Sequence, residues 1–257
     1  MESSVSPSEP EQMGRIEIRV AHTPADSALI ADLFDKVWGV KSMVSPEIMT
    51  ASLHNGGYGS VIYIDSKPVG AAFALVGRAL SGLNSPNLHS HATGVLPEFV
   101  GIGIGETIKR HQWDWAKENG FDSITWTFDP LVRRNAHFNL VKLGARVLGY
   151  HQNFYGELDD GINAGEQSDR VLVRWDVVGV DAPLANTFVE PSKTAFVIET
   201  PADIEQLRKT DRVQSDGWRA RQRAAFESAQ LAGLHVIGLT SDFSYVLDKR
   251  VEINGAL

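Results

Sequence analysis

The sequence predicts an α/β protein, a mixed central sheet flanked by helices with a small C-terminal extension, and three observations predict it. Segments of alternating polarity and β-branched runs are interleaved with helical patterns in the order strand, helix, hairpin, strand, helix, strand, helix, strands. That order suits a mixed sheet between helical layers and not a regular doubly wound repeat. The chain has 257 residues, 43% hydrophobic and 22% charged, which is enough apolar material for a substantial core. The segment Asp181 to Pro191, "DAPLANTFVEP", has the composition of a linker, so residues 15–180 form the main domain and 192–257 the extension.

Taken in order, the first fourteen residues are polar and acidic with no apolar core segment, and read as a disordered tail rather than a signal peptide. Arg15 to Ala21, "RIEIRVA", alternates as a half-buried strand does. Thr23 is placed to cap a helix with Pro24 at its first position, Ala28, Leu29, Leu33, Phe34 and Val37 as its apolar face, and an end near Gly39. "NGGYG" at Asn55 to Gly59 reads as a turn, and the eighteen residues after it as two strands joined at Asp65 to Lys67. Leu88 to Val95 is a strand leading into "FVGIGIGETIKRHQW", three glycines at every second position followed by a helix that ends at Gly120. "SITWTF", Ser123 to Phe128, is a strand, residues 129–145 a loop and a helix ending at Gly144, and Asp169 to Val177 a strand. The extension reads as strand, helix, strand, strand, too short to stand alone, and so packed on the main domain or on a second copy of the chain.

The glycine run is the first chemical signal. A strand, a glycine-rich turn and a helix start present unpaired backbone N–H groups and the positive end of a helix dipole to an anion, and glycine lets phosphate oxygens approach the backbone. "GIGIGE" lacks the spacing of the dinucleotide fingerprint, and no Gly-Lys-Ser/Thr of a P-loop is present. The alternative is a tight turn whose glycines serve packing.

"LPEFVGIGIGETIKRHQWDWAKENGF", followed by a strand and "RNAHFNLVKLGA", resembles the GNAT superfamily of acyl-CoA-dependent N-acyltransferases over roughly Arg15 to Val177. The resemblance implies that acetyl-CoA or another acyl-CoA is held at Val100, Gly101, Ile102, Gly103, Ile104 and Gly105, with Asn135 beside the thioester arm. It also implies that a backbone N–H of Thr93, Gly94 or Val95 polarises the thioester carbonyl and that the acyl group passes directly to an amine. Two positions depart from the family pattern: the Arg/Gln that precedes the glycines is Val100, and the tyrosine that serves as acid to the leaving thiol is Leu140. Tyr150 and Tyr155 are the candidate replacements for that acid, and Arg133 and Arg134 either replace the missing cation or are solvated. A non-catalytic CoA or small-ligand binding protein on the same fold is the alternative function.

Several side chains have two readings. His89 and His91 share one strand face, where His91 serves as general base for an attacking amine or both are hydrogen-bonded strand histidines. Asp129 ends a strand where open α/β sheets bind ligands, as base or amine ligand, or is a turn cap before Pro130. Glu98 reads as a surface or capping residue, Arg219 and Arg223 as a solvated helix side, and Trp113, Trp115 and Trp126 as core. Composition excludes more than it proposes. There is no cysteine, hence no disulfide, thiolate metal site or cysteine nucleophile, and no third ligand joins the histidines in a metal site. A net charge of -8 with no basic cluster argues against nucleic acid or an anionic membrane as partner. A cytoplasmic protein acting on a small-molecule amine, without a metal and with a homodimer as one option, is the expectation.

Overall fold

A computed structural model describes residues 14–41, 43–80, 85–158, 166–182 and 185–249. The tail expected over residues 1–14 falls, but for Gly14, outside the described residues. Seven strands form the main sheet: β1 (Ile16–Val20), β2 (Tyr58–Ile64), β3 (Lys67–Gly77), β4 (Asn87–Val95), β5 (Ser123–Phe128), β6 (Arg146–His151) and β9 (Arg170–Asp176). A two-stranded ribbon, β7 (Glu157–Leu158) and β8 (Glu166–Gln167), lies between β6 and β9 in the chain. The order across the sheet is β1-β2-β3-β4-β5-β9-β6, with β4 and β5 parallel and the other neighbours antiparallel. This is the mixed α/β sheet expected.

Local chemistry sets the elements around it. Helix α1 (Pro24–Trp38) starts on a capping box in which Thr23 and Asp26 exchange side-chain and backbone bonds, and ends at Gly39 with φ 68°. The turn between β2 and β3 holds Asp65 and Ser66 at φ 47° and 68°, the left-handed pair that a two-residue hairpin requires. Helix α2 (Pro46–His54), capped by Ser45, has no counterpart in the sequence reading, and neither does β6. Tyr58 and Gly59, read as turn, already belong to β2.

The sheet divides two apolar layers. On one face α1 and α2 cover Val61, Ala71, Phe73 and Ala92; on the other α3 (Ile104–Glu118) covers Leu88, Ile124, Trp126 and Val173. Strand residues alternate between these layers except where the register shifts, at Val69 in β3, in β6 and in β4. Leu88 and Val95 join the α3 layer although they stand seven positions apart, an odd step that should put them on opposite faces, and Ala92 joins the other. A β-bulge accounts for the change: Phe73 pairs with Ala92 and Ala74 with Ser90, which leaves His91 as the extra residue.

The segment after β9 is tied down rather than free. Asn186 bonds the carbonyls of Val141 and Leu140, Val189 N donates to the Leu239 carbonyl, and Phe188 stacks on His137. The extension comprises β10 (Phe196–Ile198), α5 (Ile204–Thr210), α6 (Arg212–Leu231), β11 (His235–Leu239) and β12 (Tyr245–Asp248), with sheet order β10-β12-β11. It packs on the main domain. Ile198, Phe226, Ala229 and Tyr245 share one core with Tyr150 and Val171, and the Phe226 ring stacks on Tyr150 at 4.6 Å. Such a stacked pair adds about 0.5–1.5 kcal/mol beyond the area it buries.

Candidate functional site

The gap between β4 and β5 is the feature around which the site is built. The two parallel strands pair only at Asn87↔Ser123, Leu88↔Ile124 and His89↔Thr125, although β4 runs on to Val95 and β5 to Phe128. Beyond His89, the β5-facing backbone of β4 has no strand partner. The bulge at His91 begins this divergence. Thr93 Oγ1 is buried at the gap with no hydrogen-bond partner, a cost of about 1–3 kcal/mol that a bound polar group would relieve.

The glycine loop lies where β4 leaves the sheet. Gly101 and Gly103 have φ 94° and 91°, and a Cβ on either would meet nothing within 4 Å, so conformation and not crowding calls for glycine. Among the described residues no protein acceptor is found for the N–H groups of residues 101–106, the last three of which open α3. Ile104 anchors the helix start in the core, whereas Ile102 and Val100 face solvent, Val100 at 62% exposure. Glu98 pairs with Lys67 at 3.6 Å, and Glu106 with Arg110.

Helix α4 (Arg133–Ala136) continues directly into a π-helical stretch, His137–Lys142, and the tip of Phe138 lies 4.0 Å from where a Gly105 Cβ would be. Asn135 is therefore on the helix beside the loop, half-buried, and its amide has no protein partner among the described residues. Gly94 serves a second purpose. A Cβ there would come 2.9 Å from the Trp38 ring, so the missing side chain admits α1 while the backbone stays at the gap.

His91 is half-buried at the bulge, its ring nearly perpendicular to that of Phe73, and burial lowers its proton affinity, which leaves it neutral at pH 7. His89 differs: its Nδ1 meets Thr125 Oγ1 at 3.1 Å, and burial, with smaller effects of His91 and Lys109, pushes it down to about 4. The pair thus splits between the two sequence readings, with His89 hydrogen-bonded and His91 without a hydrogen bond among the described residues.

Four expectations are corrected. Asp129 is 6% exposed, and its carboxylate accepts from Arg219 twice (2.8 and 2.7 Å), from Arg208 (2.5 Å) and from Leu131 N. Burial alone would raise its pKa, but the Arg219 and Arg208 charges outweigh burial and hold it well below the usual carboxylate range, so it cannot act as a base near neutrality. Tyr150 lies on β6, three strands from β4, about 14 Å at the usual strand spacing. Its hydroxyl donates to Asp169 at 2.5 Å, and burial with that bond pushes the phenol far above its ordinary pKa, which removes it as the acid. Arg133 and Arg134 point to the extension, at Thr200 and Glu205, and do not replace the cation missing at Val100. Arg219 is likewise no part of a solvated helix side but is buried on Asp129, and Arg223 holds Asp169.

Lys109 was not anticipated. It is 3% exposed, donates to Ser90 Oγ (3.0 Å) and Gln112 Oε1 (2.8 Å), and lies 3.9 Å over the Trp126 ring. Burial pushes it down to about 7.

No protein-family model matches the chain, and no curated protein matches it by sequence. Solved structures match it by fold. A putative acetyltransferase, yncA, from Salmonella typhimurium with acetyl-CoA is 18% identical, with TM-score 0.50 over 66% of this chain and 98% of its own. Arabidopsis thaliana NAA60 with a bisubstrate analogue is 13% identical, with TM-score 0.50 over 65% and 100%. The chain has the GNAT fold. Among the described residues no helix is long and apolar enough to cross a membrane, and no cluster of three or more His, Asp or Glu is placed to hold a metal.

Proposed function

We propose that the protein is an acyl-CoA-dependent N-acyltransferase that transfers an acetyl or related acyl group to the primary amine of a small molecule. One observation carries the reading: the unpaired stretch of β4 past His89 and the unsatisfied N–H groups of residues 101–106 lie at the two ends of one strand-loop-helix unit. Residues 101–106 would hold the pyrophosphate and Asn135 the pantetheine arm. The backbone of Thr93 to Val95 would face the thioester, and His91 would accept the proton the amine loses. Bound there, acyl-CoA supplies an activated carbonyl carbon, to which the amine nitrogen bonds as the carbon–sulfur bond breaks. A cytoplasmic location, a small-molecule acceptor, and independence of metal and nucleic acid belong to the same proposal.

Isothermal titration with acetyl-CoA and with CoA tests it; no heat at millimolar ligand overturns it. Gly103→Val weakens binding at least tenfold, because the side chain shields the N–H cradle and the residue resists its positive φ at about 1–2 kcal/mol. Unchanged affinity in that variant would place the cradle elsewhere.

Neutral His91 accepts a proton only when deprotonated, and burial moves its titration below 6.5. Activity therefore falls as pH drops below that value and is flat just above it. His91→Gln lowers kcat by about 10²-fold and removes this acid limb; a retained limb would assign it to another group.

Two positions favour a second reading, binding without turnover: Leu140 is buried in the core where the acid would stand, and Val100 is exposed with no cation. A thiol-release assay over an amine panel separates the two.

A further inference from the structure

Alternation along the strands assigns a second set of side chains to the face of the sheet opposite α3. Val171, Val173 and Trp175 of β9 and Ile124, Trp126 and Phe128 of β5 fill the α3 layer. Arg170 and Leu172, with Thr125 and Thr127, accordingly face the other way, the face onto which His89 points through Thr125. Register extends the pairing Phe128↔Val171 so that Arg170 stands opposite Asp129. The loop after β6 brings Tyr155 over this row. Its hydroxyl meets Thr127 Oγ1 at 3.1 Å, and its ring lies 5.7 Å from the Arg170 guanidinium.

Arg170 is 9% exposed, and among the described residues its acceptor is the backbone carbonyl of Asp169, at 2.9 Å from Nη1. The carboxylate across the strand pair is occupied by Arg219 and Arg208, and no ion pair forms between Asp129 and Arg170 within 4 Å. A guanidinium is planar, permanently charged and carries five donors, and the Arg170 donors without a protein acceptor are not sealed in the interior, so they are open to an anionic ligand.

We propose that Arg170, with the Tyr155 hydroxyl, binds an acidic group of the acceptor, so that the amine acylated here belongs to an amino acid or a similar amino carboxylate. The proposal rests on the acyltransferase reading for the reaction but not for the binding. The carboxylate would take the open donors of Arg170 in the two-point geometry guanidinium favours, directing the amine along Thr127 toward His91. Phe154 and Tyr155, both exposed and in edge contact at 4.7 Å, would form the wall beside the carbon chain.

The test compares amines that differ only in the acid: glycine, β-alanine, leucine and glutamate against their carboxamides. Binding to the protein with CoA present is followed by calorimetry, and acylation by thiol release with acetyl-CoA. The acids are favoured over the amides by on the order of 10- to 100-fold in KM and Kd. Arg170→Gln removes the preference while leaving acetyl-CoA affinity unchanged, and Arg170→Lys keeps part of it. Equal affinity for acids and amides, or a preference that survives Arg170→Gln in a variant with normal circular dichroism, overturns the proposal. Failure of acetyl-CoA to bind while the acids bind through Arg170 would overturn the acyltransferase reading alone.

Discussion

Asp129→Asn destabilises the protein by about 3–5 kcal/mol in denaturant unfolding, the cost of leaving buried guanidinium groups beside a neutral partner. Four hydrogen bonds end on this carboxylate, and three come from two arginines buried on α5 and α6. Beside it, Tyr245 and Gln222 bond the Pro130 carbonyl, so the end of β5 is the clamp that fixes the extension to the main sheet. The variant should lose the extension first, seen as early protection loss in hydrogen exchange over α5 and α6. Replacing Asp129, Arg208 and Arg219 together by apolar residues of similar volume costs less than the single change, because two of the three cations around the carboxylate leave with it and only Arg170 loses its neighbour. The pH dependence has a fixed sign. The folded-state pKa of Asp129 is depressed, so its contribution is complete above the unfolded value near 4 and fades as pH falls toward the folded one. A stability difference between the native protein and Asp129→Asn that persists unchanged at pH 2.5 would sink this account.

The sheet was legible in the sequence because its strands obey a two-residue period and its helices are punctuated: Thr23, Gly39, Gly120 and Gly144 occupy the predicted turns and caps. Helix α2 escaped because its nine residues bury only Met49 fully. The glycine loop was equally legible, since φ near 90° at Gly101 and Gly103 is what alternate glycines permit. What could not be read was the pairing of charges distant in sequence. Asp129 and Arg219 are separated by ninety residues, and nothing local to either shows that they neutralise each other. For the same reason Tyr150 looked available until Asp169 and Phe226 enclosed it. The bulge at His91 was hidden too, because an extra residue in a strand leaves only a break in alternation, and "HSHATGV" is too mixed to reveal one. Lys109 was masked by the habit of placing charge in water. The inward stripe of α3 is Ile104, Ile108, Lys109, Gln112, Trp113 and Ala116, and the lysine falls on it at ordinary helical spacing.

Lys109→Met yields a more stable protein at pH 6.5, and the gain shrinks as pH rises. In the unfolded chain the lysine titrates near 10.4, whereas burial pushes it down to about 7 in the folded one. Below pH 7 both states hold the proton and the full burial penalty is present. Between about 7 and 10.4 the unfolded state binds more protons, so stability rises with pH by up to about 1.4 kcal/mol per unit. His89, on the opposite face of β4 and bonded to Thr125, feels the Lys109 charge only weakly, is already neutral across this window and does not oppose the trend. The ammonium is not wholly uncompensated, since Ser90, Gln112 and the face of Trp126 surround it. Methionine keeps the packing over Trp126 but leaves the two oxygens unpaired, at about 1–3 kcal/mol, so the net gain at pH 6.5 is on the order of 1–3 kcal/mol. Denaturant unfolding of both proteins at pH 6.5, 8.0 and 9.5 checks this, and a difference independent of pH would show that the lysine is not titrating in the folded state. A penalty of this size is held one residue before His91, where Ser90 ties β4 to α3 just as the strand leaves β5. Its relief in Lys109→Met should therefore coincide with faster hydrogen exchange at the bulge, because the more stable variant has lost the bond that fixes where the strands part.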